Sequence, residues 1–163
     1  MIPARPAAGR AFSLIEVVLA LGVASFCLMA ILGLLPAGLR TNRNAIQQAT
    51  ACSILSAALA DLTATPPTSP RGAATTSPQF GIAVPANPVS AGTTTATLYF
   101  VGDGQWSTTR QASSLYRLTV TAIPNGAGTR TATFLDLVVS WPAQAAVAAA
   151  DGKVETFAAF NRN

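Results

Sequence analysis

Residues Phe12 to Leu39 read FSLIEVVLALGVASFCLMAILGLLPAGL, and every other part of the chain takes its place from this stretch. From Val17 to Leu35 no residue is charged. A helix of that length rises about 28 Å, close to the roughly 30 Å hydrocarbon core of a bilayer. One ionisable group, Glu16, stands at the mouth of the run. A carboxylate there is costly in lipid, which marks it as a residue with a task. Gly22, Gly33 and Pro36 interrupt the run, and proline removes one backbone hydrogen bond, so a kink or loosening is expected between Gly33 and Gly38.

Downstream the character changes. Residues 40–64 are amphipathic, with Cys52, Leu55, Leu59 and Leu62 on one stripe and Arg43, Gln47, Thr50 and Asp61 opposite; Gln48 and Ile54 break the pattern. This is the signature of a membrane helix continuing outward with its apolar stripe laid on a globular head. Pro66, Pro67 and Pro70 stop it. Residues 65–94 form a proline-rich connecting loop in which Phe80–Val84 is a short edge-strand candidate. Residues 95–163 turn to strand patterns. Thr95–Val101 is followed by the turn Gly102-Asp103-Gly104, and Gln105–Thr109 pairs back with Trp106 as an aromatic anchor. Leu115–Ile123, the turn Pro124–Gly128 and Thr131–Trp141 come next. The last of these places Leu135, Leu137, Val139 and Trp141 on one face, and Val154–Phe160 is a final strand. Both tryptophans read as sheet core. The expected fold is α+β: a long N-terminal helix packed on a small antiparallel sheet of three or four strands.

Composition narrows function. The formal charge is +4, and without Arg5 and Arg10 it is +2, with the other basic residues scattered rather than clustered. Nothing points directly to nucleic acid. Cys27 and Cys52, about 37 Å apart on one continuous helix, cannot form an intramolecular disulfide; both read as small buried hydrophobes. The chain has no histidine, which excludes Ser–His and Cys–His nucleophile systems and histidine-bearing zinc sites. Glu16, Asp61, Asp103, Asp136, Asp151 and Glu155 form no evident acid/base pair or calcium loop. The expectation is a non-enzyme with no catalytic residues, no cofactor and no metal.

The basic leader of residues 1–11, then Phe12-Ser13-Leu14-Ile15-Glu16-Val17 and the apolar run, resembles the N-terminus of type IV prepilins and type II secretion pseudopilins. The runs Phe12–Gly22 and Ala30–Leu39 resemble the pilin-like Verru-Chthon cassette protein B family, whose members share F-S-L-x-E-V-V-L-A-L-G and A-I-L-G-L-L-P-x-G-L. The resemblance implies a pilin-like fold and cleavage by a prepilin peptidase between Ala11 and Phe12. It also implies N-methylation of Phe12 and a filament-assembly role for Glu16. The family usually has glycine before the cut, where this chain has Ala11.

It further implies a single pass through the inner membrane, with a cytoplasmic N-terminus and a periplasmic head. Partners would be other pilin or pseudopilin subunits and the inner-membrane assembly platform. Charge does not fix orientation, since Arg5 and Arg10 on one side face Arg40 and Arg43 on the other. The implied function is that of a minor pilin or pseudopilin in a pilus-like or pseudopilus filament. The competing reading is a membrane-anchored, β-rich extracellular binding domain that does not polymerise.

Overall fold

The computed structural model describes residues 13–68, 70–125 and 132–161. Helix α1 runs Leu14–Thr63, 50 residues. The chain divides into two compact units, Met1–Asn44 and Ala45–Asn163, and α1 contributes to both.

In the first unit every described residue of the helix is exposed. Leu14, Phe26, Met29 and Leu34 each expose more than two thirds of their surface. A helix that is apolar all round and buried against nothing is built for a non-aqueous surrounding or for other helices. The helix continues unbroken through Gly33 and Pro36. An interior proline loses its donor bond and crowds the carbonyl four residues before it, and the neighbouring Leu and Ala residues are strong helix formers that favour continuation.

In the second unit α1 buries Ala51, Ile54, Leu55, Ala58, Asp61 and Leu62. This stripe is rotated from the expected one. Cys52 is exposed, Leu59 is only partly buried, and Ile54 and Asp61 point inward. Small side chains explain the rotation. Ala51 and Ala58 are fully buried in the same core cluster as Phe100, Leu118, Leu135 and Leu137, so close approach of the helix backbone leaves room for large sheet residues. Cys27 is likewise exposed, and neither cysteine is the buried hydrophobe expected.

Five antiparallel strands form the main sheet: β3 Thr93–Phe100, β4 Trp106–Ser107, β5 Tyr116–Ile123, β6 Thr133–Trp141 and β7 Gly152–Phe160, in the order β4-β3-β5-β6-β7. A separate two-stranded ribbon pairs β1, Thr75–Thr76, with β2, Ala83–Val84. The α+β class therefore holds, with seven strands in two sheets where three or four in one were expected. Three of the seven, β1, β2 and β4, are two-residue strands, too short for an alternating pattern to register. Alternation governs the long ones. Tyr116, Leu118, Val120 and Ala122 of β5, and Leu135, Leu137, Val139 and Trp141 of β6, all turn inward.

The proline-rich loop is woven into the head. Phe80, Ile82, Val84 and Val89 are buried in the core. A polar knot ties the loop to the far end of the sheet. The Asn87 Oδ1 accepts from Thr133 Oγ1 at 2.8 Å and from Asn125 Nδ2 at 3.2 Å, while Asn125 Oδ1 accepts from the Val89 amide at 2.7 Å. At Gly102–Gly104 the chain makes the expected turn, with Gly104 at φ 87° and the Asp103 Oδ1 accepting from the Gln105 amide. Trp106 departs from the expected core position: it is 39% exposed and packs edge-on against Phe80 at a centroid distance of 5.5 Å.

Candidate assembly site

Three residues were singled out at the N-terminus. Ala11 and Phe12, the expected cleavage pair, lie outside the described residues. Glu16 is the third residue of α1, and its first turn is anchored by Ser13, whose carbonyl accepts from the Glu16 amide at 3.0 Å and the Val17 amide at 3.2 Å. Ser13 before the helix and Glu16 three residues on have the spacing of a capping box. The first turn of a helix presents unsatisfied amide hydrogens and the positive end of the helix dipole, so a carboxylate there is favoured locally. This local effect accounts for an acidic residue in the first turn. It does not account for placing one beside a run of exposed Leu, Ile and Val.

Glu16 is exposed between Leu14, Ile15 and Val17, and among the described residues it has no ion pair. Val17, Ala20, Leu21 and Ala24 continue from it as a strip of apolar surface with small residues at 20 and 24. Small side chains let a second helix approach closely in an apolar medium. A carboxylate at one end of such a strip is costly once water is removed unless it is paired, hydrogen-bonded or protonated.

The head contains a polar centre that sequence reasoning missed. Asp61, expected on the solvent side, is 4% exposed and holds the loop before β2. Its Oδ1 accepts from the Gln79 amide at 2.7 Å; its Oδ2 accepts from the Phe80 amide at 2.9 Å and from the Ser77 hydroxyl. The Ser77 hydroxyl in turn accepts from the Ile82 amide at 3.0 Å. Both carboxylate oxygens accept hydrogen bonds within the fold, which makes this a structural clamp. The available signal was the spacing of Asp61 seven residues after Ile54 and three after Ala58, on the buried face rather than opposite it.

On the outer face of the sheet, away from the core, Asp136 of β6 neighbours Glu155 and Lys153 of β7. Burial, followed by repulsion from Glu155, raises the Asp136 pKa above its ordinary value, and Lys153 works in the opposite direction. Lys153 Nζ and Glu155 Oε2 form an exposed ion pair at 3.3 Å. No group of three or more His, Cys, Asp or Glu side chains suited to a metal occurs among the described residues.

Of the expected features, the structure places Glu16 at the start of an exposed apolar helix. That helix is long and apolar enough to cross a membrane. Comparison of the chain with known protein families, with curated proteins and with solved structures returns no match.

Proposed function

We propose that this protein is a structural subunit of a pilin or pseudopilin type. Its leader is removed by a prepilin peptidase between Ala11 and Phe12, Phe12 is N-methylated, and the mature chain joins other such subunits in a filament raised on an inner-membrane assembly platform. Before assembly the chain sits as a single-pass inner-membrane protein with its head in the periplasm.

The observation that supports this most is one carboxylate, Glu16, at the start of a helix whose residues 17–35 carry no charge and are all exposed. After cleavage the new amine belongs to Phe12, four residues before Glu16 in the sequence. In a helix bundle the carboxylate of one subunit pairs with the amine of its neighbour, which removes the cost of burying either alone and sets the axial stagger. The exposed surface of Leu14, Phe26, Met29 and Leu34 serves lipid first and neighbouring helices afterwards.

Glu16→Ala tests the proposal against an anchored binding head. Filament yield, read by shearing and immunoblot, should fall by about tenfold or more, as expected for leaving a buried amine unpaired, while the membrane level of the subunit stays unchanged. Unchanged filament yield would favour a non-polymerising anchored domain.

A further inference from the structure

The first charges after Glu16 are Arg40 and Arg43, and both stand on α1 within the first unit. Glu16 and Arg40 lie about 36 Å apart along the helix, enough to cross the roughly 30 Å hydrocarbon core and reach the headgroup layer beyond it. Arg43 is about 4.5 Å further along. Arg40, Arg43 and Asn44 fall at i, i+3 and i+4 and so share one face of the helix. All three are exposed. Neither arginine has an ion pair among the described residues. The helix supplies no counter-ion of its own. Its acidic residues are Glu16 and Asp61 alone, and Asp61 is buried and held by Ser77, Gln79 and Phe80.

We propose that Arg40 and Arg43 form a docking site for the phosphate of an anionic phospholipid, with Asn44 as a further donor and the acyl chains laid along the apolar helix. The inference rests on the membrane-anchoring part of the proposed function and not on filament formation. Charge complementarity carries it. A guanidinium directs paired N–H donors at phosphate oxygens, and two unpaired guanidinium groups on one face can share a single phosphate. Leu34, Leu35 and Leu39, exposed just before them, offer the surface that acyl chains cover. A phosphatidylcholine headgroup brings its own cation to the phosphate, so the site selects lipid with net negative charge. Attraction of this kind is worth about fivefold in affinity for each arginine beside a membrane helix. The consequence is positional. Phosphates that hold Arg40 and Arg43 at one face of the bilayer keep Glu16 at the opposite headgroup layer, out of the hydrocarbon where its charge is costly.

Full-length protein in a neutral detergent, titrated with phosphatidylglycerol or with phosphatidylcholine of the same acyl chains, tests this by native mass spectrometry of the bound lipid. Phosphatidylglycerol should bind in preference. Arg40→Gln and Arg43→Gln should each weaken it about fivefold, and the double variant about twenty-five-fold. Arg71→Gln, which removes an equally exposed positive charge from the head, should leave binding unchanged. Excess glycerol phosphate should not displace the lipid, since it has no acyl chains to lie on the helix. Equal binding of the two lipids would overturn the proposal, as would a double variant that binds like the parent or an Arg71→Gln variant that loses as much. Displacement by glycerol phosphate would assign the site to a free phosphate and overturn it too. Insertion of the same protein into phosphatidylcholine nanodiscs reads anchoring separately. Failure to insert would overturn the proposal together with the anchoring on which it rests, whereas insertion with unselective lipid binding would overturn the proposal alone.

Discussion

Asp61 is a buried polar tie between α1 and the loop of the head. Its carboxylate accepts from two backbone amides and one hydroxyl of the segment Ser77–Phe80. Hydrogen bonds to charged groups contribute about 1.5–3 kcal/mol, so Asp61→Ala should destabilise the head by about 3 kcal/mol or more. Thermal unfolding of the full-length protein in detergent, followed by tryptophan fluorescence, reads the loss; Trp106 reports directly because it packs on Phe80. Asp136 has the opposite character. Its raised pKa means that the folded state favours the protonated acid, so its contribution is fully present below the ordinary aspartate pKa and is lost as pH rises through the raised value. Asp136→Asn should therefore raise the melting temperature at about pH 7 and leave it unchanged at about pH 3. Equal effects at both values would contradict this origin of the shift.

At the scale of elements, the contact between β6 and β7 depends on a glycine. Trp141 lies opposite Gly152, and a Cβ added at Gly152 would stand 2.2 Å from the indole Cζ2. Gly152→Ala should displace Trp141 and cost about 1–3 kcal/mol, as overpacking in a well-packed core does; a shifted Trp emission together with a lower melting temperature checks it. The long strands were legible because alternation of Leu, Val and aromatic residues fixes which face is buried, as in Leu135, Leu137 and Val139. The helix stripe was misread by about one residue. Large side chains dominate a hydrophobic pattern, whereas the tight contact is made by Ala51 and Ala58, whose value is their small size. For the same reason Asp61 fell on the wrong side. The loop clamps at Asn87 and Asn125 were not legible at all, because their partners are 36 to 46 residues away and no local spacing records them.

For the whole molecule, sequence and structure meet at the long helix and the long strands, and part over the helix stripe and the loops. The charge-free run predicted a helix, and the helix is there, exposed throughout the first unit. What covers it is not written in its own packing, because every described residue of that stretch is exposed. The proposed processing gives Ala11 a measurable consequence. Ala11→Gly restores the residue that the resembling family carries before the cut and should speed cleavage in a pulse-chase; an unchanged or slower rate would show that alanine is as well accepted.

The central claim is that Phe12 becomes the amino terminus. Intact-mass and N-terminal peptide analysis of the protein from its native membranes, with and without the prepilin peptidase, tests this most directly. The account predicts a mature chain beginning at Phe12, bearing one added methyl group, and seen only when the peptidase is present. A chain still beginning at Met1, or one cut near Pro36–Gly38, would contradict it and leave a simple anchored or secreted β-rich domain.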